Sequence, residues 1–98
     1  MEITITGRHQ SIDDAAKAYM EEKLSRLSRL FDRVTAVHAI LDFEHGAHLV
    51  ELTASAPPNH KFVSHAEGKD LRKAIDQADH KLEVQVRQWK DKLVDHHP

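Results

Sequence analysis

The strongest constraint on the fold is a helical pattern that occupies the last quarter of the chain. After Asp70, apolar residues recur every three or four positions at Leu71, Ala74, Ile75, Ala78, Leu82, Val86, Trp89 and Leu93. This spacing places them on one face of a single α-helix of roughly six turns. A helix of this kind gains most of its stability by packing that face against other elements. The rest of the 98 residues must therefore supply a surface for it.

The first third of the chain predicts a strand followed by a second helix. Apolar and polar residues alternate over 1–6, and Gly7 ends the predicted strand. Ser11 is the expected helix N-cap, with Asp13 and Asp14 in the first turn, where the helix dipole favours acids. The apolar positions of this helix are Ile12, Ala16, Met20, Leu24, Leu27 and Phe31.

Three further strands are predicted between the two helices. A strand over 34–43 turns at Glu44-His45-Gly46 into a second strand over 47–56. Pro57-Pro58-Asn59 forms another turn, because proline cannot donate to a sheet ladder, and a third strand follows over 60–66.

The resulting order of elements is β-α-β-β-β-α. A right-handed crossover makes the first two strands parallel, and the hairpins add two antiparallel strands. We therefore predict an α+β fold in which a four-stranded mixed sheet carries two parallel helices on one face. Neither an internal repeat nor a linker divides the sequence, so a single domain is expected over 1–98.

Composition narrows the class of protein. The chain has no cysteine, which excludes a disulfide framework and a thiolate metal site. It has neither an apolar run of membrane-spanning length nor a signal-peptide core, so we expect a cytoplasmic protein. The net charge is −2, but 13 of the 14 Lys and Arg residues lie outside 34–68. The placement of the charges, rather than their sum, must therefore decide whether a nucleic acid can bind.

Basic side chains collect on one flank of the first predicted helix. At about 100° per residue, Arg26, Arg29 and Arg33 lie together there, with Lys23 near the apolar edge. One reading is a phosphate-binding surface, and the alternative is a solvated face, which most charged helix stripes are. For Arg33 a further alternative is a cation that interacts with the negative end of the helix dipole.

The second helix segregates its charges. The acids Asp76, Asp79 and Glu83 share one flank with basic residues, where spacings of three and four allow ion pairing. The other flank is free of acids and carries Gln77, Lys81, Gln85, Gln88 and Lys92. We expect the basic flank of the first helix and this acid-free flank to form two rows that contact phosphates without reading base sequence.

Several short segments resemble the ribosome hibernation-promoting factors, a family of small translation inhibitors that act under stress. The resemblance spans the whole chain and rests on Ile5-Thr6-Gly7, Lys23-Leu24, Leu27, Leu30-Phe31-Asp32-Arg33 and Ala66-Glu67-Gly68-Lys69-Asp70-Leu71. It implies the same fold and a non-enzymatic protein without a cofactor. It also implies that basic residues of both helices bind small-subunit rRNA around the decoding channel and so block mRNA and tRNA.

Residue by residue, the resemblance assigns rRNA contacts to Lys23, Arg26 and Arg29 on the first helix and to Lys81 and Lys92 on the second. Val84 and Gln88 depart from the family, whose members often carry Arg or Lys there. The complete predicted RNA-binding set is Lys23, Arg26, Arg29, Arg33, Lys81, Gln85, Gln88 and Lys92. The sequence stops at Pro98, without the C-terminal dimerisation domain of the long family members, so we expect any ribosome pairing to need a separate partner or a contact through the bound ribosome.

The other chemistries are less well supported. The nine histidines include His45 and His48 at a hairpin turn and His96-His97 near the end, but no His-Glu-x-x-His motif, so no metal site is predicted. No nucleophile elbow or phosphate-binding glycine loop indicates an enzyme or a small-molecule substrate. Two alternative functions remain, a general double-stranded RNA-binding module and a protein-protein interaction domain. We expect no membrane as a partner in any of these functions.

Overall fold

A computed structural model describes residues 1–94, in which six elements follow the predicted order. They are β1 (Glu2–Arg8), α1 (Asp14–Leu30), β2 (Ala36–Glu44), β3 (Ala47–Ala56), β4 (His60–Gly68) and α2 (Leu71–Val94). The predicted α+β class is therefore confirmed. No helix within these residues is both long enough and apolar enough to cross a membrane.

The four strands form one sheet in the order β1-β2-β3-β4. β1 is parallel to β2, with Ile3 opposite Val37, and the remaining pairs are antiparallel. The mixed sheet and the two helices on one face agree with the prediction. β1 and β4 are the sheet edges, and α2 packs mainly on β4 and β3.

The core lies between the helices and one face of the sheet. α1 buries Met20, Leu24 and Leu27 there, and α2 buries its predicted apolar positions between Ala74 and Val86. The sheet contributes alternate residues, because successive side chains of a strand point to opposite faces. These sheet residues are Val37, Ala39, Leu41, Val50, Leu52, Ala54, Ala56, Phe62 and Ala66. The opposite face of the sheet carries mostly polar side chains.

The N-terminus of α1 differs from the prediction. Asp13, rather than Ser11, is the N-cap, because its carboxylate accepts a 2.7 Å hydrogen bond from the backbone N–H of Ala16. A carboxylate satisfies this exposed donor and also interacts favourably with the positive end of the helix dipole. The prediction that Ser11 caps the helix and that Asp13 lies in its first turn is therefore wrong. Asp14 does lie in that turn.

The hairpin between β2 and β3 turns where it was predicted. His45 and Gly46 both have positive φ angles, 53° and 76°. Two such residues in succession match the right-handed twist of the flanking strands, and this conformation favours glycine. The predicted first strand of the hairpin is shifted, because Val34 donates its N–H to the carbonyl of Phe31 and β2 begins at Ala36.

Candidate nucleic-acid interface

The outer surface of α1 presents two exposed arginines. The Arg26 guanidinium lies 3.9 Å from the Glu22 carboxylate one turn earlier, at the limit of an ion pair. The side chain of Arg29, in the last turn, makes no hydrogen bond or ion pair within residues 1–94. Arg33 is exposed too, but it lies beyond the end of α1 in the segment leading to β2. These three guanidinium groups are accessible to an external anion.

Lys23 has a different environment from the arginines. Its ammonium lies 2.7 Å from the Asp76 carboxylate of α2, and its side chain is only 23 % exposed. The hydrogen bond that Lys23 donates to Asp76 raises the pKa of Lys23, and the same bond lowers the pKa of Asp76. Lys23 is therefore held across the groove between the helices rather than extended into solvent.

The acids of α2 face this groove. Asp79 is buried, with 7 % of its surface exposed, and its Oδ1 atom has no hydrogen-bond partner within residues 1–94. Burial, followed by repulsion from Glu83, raises the pKa of Asp79 to about 6, while Lys23 and Arg26 act in the opposite direction. The groove thus places a buried carboxyl group with a raised pKa beside the basic flank of α1.

Two residues of the acid-free flank of α2 contact the sheet edge. The Lys81 ammonium donates a 2.8 Å hydrogen bond to the carbonyl of His65, and the Gln85 amide donates a 2.7 Å bond to that of Val63. Both carbonyls belong to β4, which has no partner strand on its outer side among the residues that the structure describes. Since unpaired edge carbonyls are open to pairing with other chains, Lys81 and Gln85 cover part of this edge.

The predicted RNA-binding residues therefore fall into two separate groups. Lys23 and Arg26 lie on the flank of α1 that faces α2, whereas Lys81 and Gln85 lie on the opposite flank of α2, above β4. Gln88 and Lys92 are exposed farther along α2. Because the acidic flank of α2 fills the space between these groups, the structure does not bring the two rows side by side.

One side-chain cluster could not be predicted from the sequence, because its members are distant along the chain. His9 Nδ1 and Asp42 Oδ1 are 2.9 Å apart, and the donor atoms of His9, Asp42 and Glu44 all lie within 4.8 Å of one another. The hydrogen bond to Asp42 raises the pKa of His9, and it lowers that of Asp42. These three side chains could jointly hold a cation, although His9 and Asp42 already satisfy each other. His96 and His97 lie outside the described residues.

Two other histidines lie on the open face of the sheet. His38 is within 3.0 Å of the Thr6 hydroxyl, and His65 is within 3.2 Å of the Glu51 carboxylate. The strand pattern by itself could not place them, since it does not specify which face the helices cover. Both are exposed and remote from the groove between the helices.

The chain resembles one family of known proteins over almost its full length. Residues 3–94 match the family described as Sigma 54 modulation protein / S30EA ribosomal protein. A ribosome hibernation promoting factor of Azotobacter vinelandii is 36% identical over 95 residues, covering 97% of this chain and 88% of the relative. The factor of that name from Escherichia coli K12 is 33% identical over 96 residues, covering 98% and 100%.

Solved structures with the same fold support the match. A ribosomal subunit interface protein from Coxiella burnetii superimposes with a TM-score of 0.86 at 28% identity, covering 93% of this chain and 99% of that one. The N-terminal domain of Protein Y from Thermus thermophilus gives a TM-score of 0.83 at 32% identity, covering 91% and 99%.

The predicted family is therefore confirmed, and with it the prediction that the protein is not an enzyme, since the hibernation factors of this family are non-enzymatic. This chain belongs to the Sigma 54 modulation protein / S30EA ribosomal protein family, which includes the ribosome hibernation promoting factors.

Proposed function

We propose that this protein inhibits translation by binding small-subunit rRNA in the channel that mRNA and tRNA use. Its relatives are named for ribosome hibernation, and a solved neighbour is named for the ribosomal subunit interface. The observation that carries the proposal is the accessibility of Arg26, Arg29 and Arg33 on a protein with a net charge of −2. Three exposed guanidinium groups that follow one another at the end of α1 suit a polyanionic partner, even on a protein with an acidic net charge.

The chemistry of binding is phosphate recognition. Guanidinium groups bind phosphate oxygens through paired N–H donors, and such contacts position a protein on RNA without reading its sequence. Each phosphate that is neutralised releases condensed counterions, so binding should weaken steeply as salt rises. Inhibition then follows from occupancy, since a protein in the channel excludes mRNA and tRNA, and no cofactor is required.

The second helix contributes less to this interface than the first. Gln88 and Lys92 are exposed and can contact phosphates directly. Lys81 and Gln85 would have to give up their hydrogen bonds to β4, or share them with RNA. We therefore assign the principal contacts to Arg26, Arg29 and Arg33, and supporting contacts to the α2 residues.

The cellular role follows from this activity. We propose a cytoplasmic protein whose single domain, residues 1–98, stabilises idle ribosomes during stress or stationary phase. Its partners would be the small subunit with its rRNA and, where ribosomes pair, a separate dimerising factor.

Co-sedimentation with purified small subunits tests the assignment. The variant Arg26→Glu/Arg29→Glu should lose at least roughly tenfold in affinity, because two phosphate contacts become repulsive. The matched control is Lys17→Glu/Lys61→Glu, which makes the same change in net charge at two exposed lysines away from the proposed surface. The control should retain binding. Equal losses in both double variants would indicate a general effect of net charge and contradict the assigned surface.

A second arm separates the proposal from general duplex binding. Affinity for small subunits should exceed that for a plain RNA duplex at the same salt concentration, because the proposed partner is the rRNA of the channel and not duplex backbone in general. A double-stranded RNA-binding module would recognise any duplex backbone. Equal affinity for the two would favour that alternative function.

A further inference from the structure

The environment of Lys23 sets it apart from the other basic residues that the sequence predicts to bind RNA. Its ammonium lies 2.7 Å from a carboxylate oxygen of Asp76, and the Tyr19 hydroxyl donates to that same oxygen at 2.5 Å. The Arg72 guanidinium lies over the Tyr19 ring, 4.8 Å from its centre. Asp76 therefore receives a cation and a hydroxyl in the geometry with which proteins bind an anion.

The ion pair lies at the mouth of the groove rather than at its base. The Asp76 side chain is 44 % exposed, whereas that of Lys23 is 23 % exposed. Partly exposed ion pairs contribute little to stability, because water screens them and ordering the side chains opposes them. An RNA phosphate arriving at this surface could therefore compete with Asp76 for Lys23.

A second carboxyl group of α2 adds to the repulsion that an RNA phosphate would meet near Lys23. Asp79, one turn farther along α2, is buried and faces Lys23 and Arg26, and its Oδ1 atom has no hydrogen-bond partner in the described part of the chain. Removing Lys23 from Asp76 would leave both carboxylates near an incoming phosphate of the same sign. The acids of α2 thus oppose RNA on the flank where α1 attracts it.

We propose that Asp76 is an affinity-determining residue that occupies Lys23 in place of an RNA phosphate and so weakens binding to the ribosome. This inference rests on the proposed function and deepens it. In the free protein Lys23 links the two helices, and it becomes a full phosphate contact only when Asp76 is neutral or displaced. The acid thereby keeps the association weaker than the number of cations would allow, which suits a factor that must leave the ribosome when translation resumes.

The test is the affinity of the full chain for purified small subunits over a series of KCl concentrations. Asp76→Asn keeps an oxygen that can accept the Tyr19 hydrogen bond but removes the charge. This variant should bind about three-fold to ten-fold more tightly than the wild type. The logarithmic salt dependence should also become steeper by about 0.7 to 0.9, corresponding to one additional phosphate contact.

Two further variants identify the cause of any change. In a Lys23→Met background, Asp76→Asn should give a clearly smaller gain, since there is no ammonium to release and only the direct repulsion between Asp76 and a phosphate is removed. Glu21→Gln makes the same change in net charge on the opposite side of α1 from Lys23, and it should leave affinity unchanged. Near-ultraviolet circular dichroism of Trp89 verifies that each variant is folded.

The outcomes separate the two proposals. Unchanged or weaker binding by folded Asp76→Asn would overturn the role of Asp76, as would an equal gain in the Lys23→Met background or with Glu21→Gln. If Arg26→Glu/Arg29→Glu still loses binding in that experiment, the proposed function survives without the inference. A wild-type protein that binds no small subunits would overturn both.

Discussion

The Tyr19 hydroxyl of α1 donates a 2.5 Å hydrogen bond to the Asp76 carboxylate of α2, across 57 positions of sequence. At the other end of the helices, the Lys90 ammonium of α2 donates to the carbonyl of Leu30 at 2.9 Å. Polar contacts therefore join the helices at both ends of a groove whose base is apolar. Together they connect the flank of α1 that carries Lys23 to the acidic flank of α2.

The hydrogen bond from Tyr19 should contribute measurably to stability. Tyr19→Phe keeps the aromatic ring beneath Arg72 but removes the donor, leaving Asp76 with Lys23 alone. We expect the free energy of unfolding to fall by about 1 kcal/mol, since the acceptor is charged but remains partly accessible to water. Urea denaturation followed by far-ultraviolet circular dichroism measures this change. An unchanged midpoint would show that water replaces the phenol without loss.

The buried carboxyl of Asp79 should make stability depend on pH. Its folded-state pKa of about 6 lies above the ordinary value of 3.8, so the folded protein binds more protons than the unfolded chain between these values. This group therefore destabilises the fold progressively as pH rises from about 4 to 6. Asp79→Asn should raise the free energy of unfolding at pH 7 on the order of 1–3 kcal/mol and have little effect near pH 4.

The control for that prediction is Asp91→Asn, which removes an exposed acid from the same helix. Urea denaturation of both variants at pH 4 and pH 7 provides the comparison. A stabilisation that is independent of pH, or equal in the two variants, would show that burial of Asp79 is not its cause.

The role of Lys81 at the sheet edge can be separated from any role in binding. Lys81→Met removes the hydrogen bond to the His65 carbonyl and should lower the free energy of unfolding by about 0.5–1 kcal/mol. Lys92→Met makes the same chemical change at an exposed lysine farther along α2 and should leave stability unchanged. Thermal denaturation compares the two variants. Equal effects would contradict a specific contribution of Lys81 to the β4 edge.

The contact between His9 and Asp42 should raise the pH at which the His9 imidazole titrates. The hydrogen bond and charge of Asp42 raise the pKa of His9 above 6.5, so protonation of His9 favours the folded state at low pH. That contribution disappears as pH rises through the folded-state pKa. Titration of the imidazole protons by NMR should show the raised pKa, and Asp42→Asn should return it towards 6.5. Glu67→Gln, which alters another acid on the open face of the sheet, should not.

Much of the fold was predictable because its signals are local. The apolar positions of α2 have a period that only a helix can bury on one face, and the structure buries those from Ala74 to Val86. The turn at His45 and Gly46 and the strands beside it follow equally local preferences. The N-cap of α1 was predicted wrongly because Ser11 and Asp13 are both good caps, and the structure uses the carboxylate of Asp13.

The sequence by itself determined the order of the elements, the family, and the basic character of the α1 surface, because these depend on residue types at short spacings. Only the tertiary structure decided which cations remain available to a partner. Lys23 is paired with Asp76 and Lys81 with a β4 carbonyl, whereas Arg29 stays without a partner within residues 1–94. Such partners come from distant parts of the chain, and hydrogen bonds and ion pairs act only over the few ångströms that packing brings about.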